Sequence, residues 1–492
     1  MVKKMANLTK EDIRSVIEII KELYLEDMIP WICGYSGGKD STAVVQLVWY
    51  ALQELPKEKL KKTVHVISTD TLVESPVVAI WASESLKKME KTAKEQGLPI
   101  VPHRLTPAIT NTFWVNLIGR GYPYPRRDFR WCTDRMKIDT SNRFIKSVLD
   151  AESEAIMVLG SRKAESTVRK AVLEGYEKKR YRAHLSPNGS FPNSYVFTPI
   201  ENWLNDNVWQ YLVQVPNPWG HSNKDLLAMY SGASADGECP LVIDTSTPSC
   251  GNSRFGCWVC TMVTEDKSMA AMIQNDEEKA WMLPMLNFRN YIAGDWETDR
   301  KRRDFRKRDG RLQWYNNRLV HGPYTKETRI DFLRELLKVE RKVHEIGPDE
   351  IKDVPLISME ELAFIRQLWL DEFHEFEDNL PIIYEEVTGK KYSDGLISKN
   401  KYFGAPEANL LEEICNEKYS EEKLLASLQK ALLDTEAKAA AISNKRNVIV
   451  NFEKEIKKAF YRDEKDAEHI AEDRALRVAD IVDKTKWEDD VE

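Results

Sequence analysis

Trp31–Ile32–Cys33–Gly34–Tyr35–Ser36–Gly37–Gly38–Lys39–Asp40–Ser41 is the stretch on which the fold turns. Three apolar residues run into a glycine-rich loop, and the loop runs into Ala43, Val44, Leu47 and Val48 at helical spacing. A strand that passes through glycines into a helix aims backbone N–H groups and the positive end of the helix dipole at one point, which suits an anion. Gly37 and Gly38 let a phosphate approach the backbone, the Ser36 and Ser41 hydroxyls can donate to its oxygens, and Lys39 supplies a cation. The loop is not a Walker A. That motif needs a glycine where Cys33 stands and a serine or threonine where Asp40 stands.

Upstream, Thr9 and Asp12 form a capping-box pattern. Ile13, Val16, Ile17, Ile20, Leu23 and Tyr24 then predict a helix that ends before Pro30. Downstream, residues 64–68 and 155–159 read as further strands, ending at Thr69–Asp70 and at Gly160–Ser161–Arg162. Strands alternating with helical segments predict an α/β fold with a parallel sheet covered on both faces. From Pro199 the chain is rich in proline and glycine, and beyond residue 265 it is helical and charged. Ser420 is a candidate N-cap for one long helix, whose seam steps by three and four through Leu425, Leu428, Leu432, Thr435, Ala439, Ile442, Arg446, Ile449, Glu453, Ile456 and Phe460. The expected organisation is residues 1–235, a cysteine-rich segment 236–270, a charged helical region 271–415, and the long helix with an acidic tail, 416–492.

Composition narrows the class. Of 492 residues, 42% are hydrophobic and 10% aromatic, enough for a sizeable core, which excludes a disordered chain. No apolar run is long enough to span a bilayer, and the charged N-terminal stretch lacks a signal-peptide core, so a cytoplasmic protein without membrane contact is expected. With 72 Lys and Arg against 79 Asp and Glu the net charge is −7, which excludes a polycation that coats nucleic acid but leaves room for a local basic face.

Seven cysteines are present, and Cys239, Cys250, Cys257 and Cys260 are spaced C-x10-C-x6-C-x2-C. Such clustering points to a metal or cluster site rather than disulfides, and the spacing suits either zinc or [4Fe–4S]. Cys33 falls in a core strand and Cys415 beside Leu411 and Ile414 on a helix. Cys132 lies among Arg126, Arg127, Arg130 and Arg135, a setting expected to favour thiolate, which makes it a candidate sulfur carrier. From Asp299 to Arg311, eight cations face three aspartates, interleaved with Phe305 and followed by Trp314 and Tyr315. Arg302, Arg303, Lys307 and Arg308 are therefore candidate DNA contacts.

Ser36–Ser41 reads SGGKDS and resembles the SGGxDS loop of the N-type ATP pyrophosphatases, the PP-loop enzymes. Gly160–Ser161–Arg162 with Glu165, Ser166 and Arg169 resembles a stretch of their phosphoadenylylsulfate reductase branch. So do Pro199–Ile200–Glu201–Asn202–Trp203 with Asp206, Val208, Trp209 and Tyr211, and Arg130–Trp131–Cys132–Thr133 with Arg135 and Lys137. With the cysteine array and the charged helical tail, the whole is similar to the sulfurtransferases of bacterial DNA phosphorothioation (Dnd) systems.

That resemblance implies an adenine nucleotide alpha-hydrolase-like sheet that binds ATP with Mg²⁺ through Ser36, Gly37, Gly38, Lys39, Asp40, Ser41, Asp70, Gly160 and Arg162. It implies a [4Fe–4S] cluster on Cys239, Cys250, Cys257 and Cys260, sulfur from a cysteine desulfurase, DNA as substrate, and other phosphorothioation proteins as partners. Lys39, Asp40 and Cys132 are the expected catalytic residues, with ATP cleaved to AMP and pyrophosphate. A sulfonucleotide reductase, the related single-strand phosphorothioation enzyme and a non-catalytic ATP-gated assembly subunit are the alternatives. Release of AMP with pyrophosphate separates the last of these from the enzymes.

Overall fold

Thr9 caps the first helix as its spacing predicts: the Asp12 amide donates to Thr9 Oγ1 at 3.1 Å and the Thr9 amide to Asp12 Oδ2 at 2.8 Å. The computed structural model describes residues 7–233, 255–394, 404–422, 424–440 and 448–489. The chain divides into two compact units, Met1–Ala108 with Arg126–Leu286, and Ile109–Pro125 with Asn287–Glu492.

The first unit alternates strands and helices: α1 (Lys10–Glu26), β1 (Trp31–Gly34), α2 (Lys39–Gln53), β2 (Val64–Thr69), α3 (Pro76–Gln96), β3 (Ile100–Leu105), α4 (Asp139–Glu152), β4 (Ala155–Val158), α5 (Thr167–Lys178), β5 (Ser186–Pro187), β6 (Ser194–Phe197), α6 (Asn205–Gln214), α7 (Asn223–Gly232) and α8 (Lys267–Asn275). The sheet order is β3-β2-β1-β4-β6-β5, parallel except for the short β5–β6 pair. Alternate strand residues serve opposite faces. Trp31, Cys33, Val64, Val66, Ile156 and Val158 join one core cluster with α1 and α2, while Ile32, Ile67, Ala155 and Met157 join another with Ile145 and Val148 of α4. Burial on both faces is what a parallel sheet requires. Cys33 is fully buried here, and burial pushes its thiol up to about 12, so it is an inert core residue.

The second unit contains α9 (Leu283–Ala293, from Asn287 onward), α10 (Trp296–Lys301), the hairpin β7 (Trp314–Tyr315) and β8 (Arg318–Leu319), and the helices α11 (Lys326–Ile346), α12 (Asp349–Lys352), α13 (Met359–Asp371), α14 (Asn379–Thr388), α15 (Ala405–Lys418), α16 (Leu425–Ala440), α17 (Val448–Lys458) and α18 (Glu464–Asp489). Residues 109–125 belong to this unit. Trp114 Nε1 donates to the Leu356 carbonyl at 2.6 Å and Trp369 Nε1 to that of Ile118 at 3.1 Å. Gly119 sits so close to α13 that a Cβ would lie 2.9 Å from Leu368 Cδ1. The two compact units divide the chain near residues 108, 125 and 286.

The single helix expected from Ser420 to Phe460 is replaced by α16 and α17, two helices packed on each other. Residues 441–447, between the two helices, lie outside the described residues. Ile449, Ile456 and Phe460 of the expected seam are exposed. Among the described residues no helix is long and apolar enough to cross a membrane.

Three histidines of the first unit make its stability depend on pH. His65 Nδ1 and His103 Nε2 lie 3.0 Å apart, and burial, then His103, pushes His65 down to about 4. His221, stacked on Trp81, is also pushed down to about 4, by burial and then Lys88. An unfolded histidine titrates near about 6.5. Below that pH the unfolded chain takes up protons that the native state refuses, so the stabilisation present above pH ~6.5 is lost as pH falls toward ~4. Thermal midpoints should fall over that window, and His65→Phe should flatten the curve; an unchanged slope would show that these imidazoles protonate equally in both states.

Candidate active site

β1 and β4 are neighbours at the point where the strand order reverses, the position at which an open parallel sheet leaves a crevice beyond its strand ends. The loop after β1 and the segment after β4 meet there. Gly37 has φ +75°, and a Cβ on it would meet Ala82 Cβ at 3.3 Å. Trp81 Nε1 donates to the Gly37 carbonyl at 3.2 Å, so α3 braces the turn. Ser41 Oγ donates to the Gly38 carbonyl at 3.0 Å and accepts from the Ser36 amide at 3.2 Å. Both serines therefore hold the loop in shape, and a Ser41 hydroxyl used on phosphate would first leave Gly38. Gly160 has a packing reason as well: a Cβ there would lie 2.9 Å from the Asp40 carbonyl carbon.

Asp40 opens α2 and faces two cations, Arg162 Nε at 2.6 Å and Lys39 Nζ at 3.3 Å. Arg162 is buried and also reaches the Trp203 carbonyl at 3.4 Å. Lys39 Nζ lies 5.4 Å from the centre of the Tyr230 ring, whose buried hydroxyl is pushed up to about 12. These residues border a cavity of about 560 Å³ that also takes in Asp70, Glu74, Arg104 and Lys137, within the range of a small-molecule site. Arg104 Nε donates to Asp70 Oδ2 at 3.0 Å, and the Leu72 amide to Asp70 Oδ1 at 2.8 Å.

On the far side of Glu74 lie the cysteines. The Cys260 amide donates to the Cys257 carbonyl at 2.9 Å, closing a C-x2-C turn. Cys257 bridges to Glu74 along the backbone, and the Trp258 amide donates to the Val73 carbonyl at 3.0 Å. Cys257 Sγ is 3.7 Å from Glu74 Oε1 and 3.3 Å from Thr71 Oγ1, and Lys137 Nζ is 3.3 Å from the same Glu74 oxygen. Burial works against a charged Lys137, but the neighbouring Cys257 and Glu74 outweigh it and hold the ammonium above its ordinary value. Cys239 and Cys250 lie outside the described residues, and among the described ones no three Cys, His, Asp or Glu side chains could hold a metal ion.

Two expectations need correction. Cys132 does not sit in a thiolate-favouring field: burial pushes its thiol up, and Cys260 adds to the shift, outweighing Thr133 and Lys137. The nearby arginines in sequence do not offset the lost solvation. The basic stretch is not a free cationic face either. Arg302 donates to the Tyr291 carbonyl at 2.8 Å and stacks over the Tyr291 and Phe332 rings, and Arg303 is buried beside Asp299 at 3.3 Å. Arg300 is held by Glu464 and Glu468, Arg306 by Asp304, Lys307 by the His321 carbonyl and Arg308 by Glu372. Glu74, Trp81, Arg104 and Tyr230 carry no local motif that would have drawn attention to them.

Residues 30–219 match the family model described as phosphoadenosine phosphosulfate reductase domain. The chain carries a phosphoadenosine phosphosulfate reductase-like PP-loop domain. The PP-loop domain also resembles an uncharacterized protein of Methanocaldococcus jannaschii, 28% identical over 210 residues, which are 42% of this chain and 36% of that protein. The match thus spans about a third of that relative's length. Similar solved structures include phosphoadenylyl-sulfate reductase from Candida auris (13% identity, 44% of this chain and 92% of that one, TM-score 0.25). Another is the U34-tRNA thiolase of Methanococcus maripaludis (13% identity, 58% and 79%, TM-score 0.26).

The Asp40–Arg162 pair is testable within the PP-loop domain. Arg162→Leu leaves a carboxylate without its guanidinium and should cost about 3 kcal/mol of stability. Arg162→Lys should restore only part of that stability, since one ammonium cannot reproduce the guanidinium's geometry. Urea unfolding reads the effect, and an Arg162→Leu protein as stable as the parent would show that the pair does not hold the loop.

Proposed function

We propose that the protein is an ATP-dependent sulfurtransferase of DNA phosphorothioation, activating a DNA phosphate by adenylylation so that sulfur can replace a non-bridging oxygen. The observation that carries this reading is one cavity shared by the glycine loop, the Asp40–Arg162 pair, and the Glu74 and Lys137 side chains that adjoin the Cys257 sulfur. An anion-binding loop in a cavity whose Glu74 wall adjoins a thiol suits a reaction that spends ATP to move sulfur. The choice of DNA is supported by the resemblance of the motifs and cysteine array to the Dnd sulfurtransferases.

In this reading the loop amides and Lys39 hold the β- and γ-phosphates, and Arg162 keeps Asp40 oriented beside them. A non-bridging oxygen of DNA attacks the α-phosphorus, the α–β bridging bond breaks, and pyrophosphate leaves. The terminal sulfur of a persulfide then attacks the adenylylated DNA phosphorus and AMP leaves. A second thiol reduces the sulfur–sulfur bond, giving the phosphorothioate and a disulfide. Lys137 lies where it can neutralise an incoming sulfur anion.

The cavity carboxylates Asp40 and Asp70 are already paired with Arg162 and Arg104. Mg²⁺ therefore fits here mainly through the triphosphate oxygens, and when bound it would neutralise phosphate charge. The thiol donors suit an iron–sulfur group: Cys257 and Cys260 share a turn, and thiolates are the usual ligands of such clusters. Cys257 and Cys260, with Cys239 and Cys250, would hold a [4Fe–4S] cluster, which would supply an electrophilic or redox-active centre near Lys137.

The match to the reductase family favours a second reading, reduction of a sulfonucleotide. Nucleotide products separate the two. ATP should give AMP and pyrophosphate, and Lys39→Ala should lower the rate by at least ~100-fold, as loss of a charge-stabilising interaction in the transition state predicts. Sulfite release from an adenylylated sulfate, with no pyrophosphate from ATP, would establish the reductase. Protein prepared without oxygen should be brown, with about four irons per chain. Cys239→Ser, Cys250→Ser, Cys257→Ser and Cys260→Ser should each bleach it while Cys33→Ser does not; a colourless parent protein holding zinc would overturn the cluster.

A further inference from the structure

The second unit holds an open groove of about 1220 Å³, roughly twice the volume of the nucleotide cavity and larger than a small ligand needs. Six cations line it: Lys307, Arg308, Arg311, Lys438, Lys454 and Lys458. Three carboxylates stand among them, Asp309, Asp434 and Glu455. Asp434 is shared between His374 Nδ1 at 2.9 Å and Lys438 Nζ at 2.6 Å, and Glu455 binds Lys458 at 2.7 Å. Arg311 meets Asp309 at 2.5 Å, and Arg308 meets Glu372 at the rim. Lys454 is exposed and has no ion-pair partner among the described residues. The groove keeps an excess of positive charge on a chain whose net charge is −7. Lys307 is pushed down by burial and then by the Arg303 charge.

Gln313 lines the same groove and leads into the hairpin β7–β8, whose turn residues Asn316 and Asn317 both have positive φ. That turn presents Tyr315, 64% exposed, and sets Arg318 over the face of Trp296 at 4.9 Å. A cationic groove beside exposed aromatic rings is the arrangement that tracks a phosphate backbone and stacks on bases.

We propose that this groove, made by residues 307–313 and the facing sides of α16 and α17, binds the phosphodiester backbone of the nucleic-acid substrate. The inference rests on the DNA reading above and relocates the interface: Lys307 and Arg308 remain, Arg302 and Arg303 drop out, and Lys438, Lys454 and Lys458 enter. None of the three added lysines belongs to the basic run of residues 300–311.

The test uses the full chain and fluorescently labelled duplex and single-stranded DNA, with anisotropy read across a salt series. Lys438→Gln/Lys454→Gln/Lys458→Gln should weaken binding at least ~10-fold near physiological salt and reduce the slope of log K against log salt by up to ~2.7 on duplex, about 0.9 for each phosphate no longer neutralised. A control set on other exposed helix surfaces of the same unit, Lys338→Gln/Lys342→Gln/Lys352→Gln, removes equal charge and should leave the slope unchanged. Circular dichroism and the thermal midpoint check folding, and Lys454→Gln alone, an exposed surface change, should still lower the slope by about 0.9. Binding by the parent with an unchanged slope in the groove variants would overturn the groove and leave the DNA reading standing. Equal losses in groove and control sets would also overturn it, since net charge alone would explain them. A parent that binds neither form of DNA would overturn both the groove and DNA as substrate.

Discussion

Arg162 crosses from the end of β4 to the start of α2 to hold Asp40, and the geometry of the crevice follows from that reach. A buried guanidinium needs an anion, and a carboxylate at a helix N-terminus gains from the dipole, so each group satisfies a demand of the other. Gly160 lets the two backbones approach closely enough for the pair to form. Trp81 and Tyr230 then brace the loop from α3 and α7 through Gly37 and Lys39. The glycine loop is thus preorganised by a bond between two crossover segments of the sheet, and the loop amides inherit their direction from it.

The second unit solves a different problem, how a highly charged chain forms a core. Arg366 is held by Asp378 at 2.6 Å and Asp394 at 2.9 Å, and Arg329 by Glu375 with the Phe373 ring 4.1 Å away. Burial pushes the Glu375 carboxyl up despite its arginine, the sign of a pair taken far from water. Such pairs contribute little net stability, but breaking one leaves an uncompensated charge inside. Many of the charges that look like a binding face in the sequence are therefore structural partners of residues far along the chain.

Local signals in the sequence survived best. The capping box at Thr9, the glycine loop and the strands at Trp31, Val64 and Ala155 depend on neighbours a few residues away, and all are observed. The hairpin of α16 and α17 was hidden because steps of three and four fit a continuous seam and a folded-back pair equally well. The fate of Arg300 was hidden because its partners, Glu464 and Glu468, lie on α18. Cys132 misled for a related reason. The arginines next to it in sequence are visible, whereas the loss of solvent around it is a tertiary fact. Glu74 gave no signal at all, since its importance comes from the Cys257 turn that returns to pair with it.

Residues 109–125 carry a further consequence, one that concerns the ribosome rather than the finished molecule. Phe113, Trp114, Leu117 and Ile118 are synthesised early, yet the residues that bury them, such as Leu356, Ile365, Leu368 and Trp369, emerge more than two hundred positions later. The first unit is interrupted by this segment, so it must close around an apolar loop whose own core does not yet exist. Folding cannot proceed strictly from one end to the other, and a nascent chain halted near residue 290 would display that aromatic segment to chaperones or to other nascent chains. Separate expression of the first unit is therefore a matter of excising residues 109–125, and not merely of choosing where to stop.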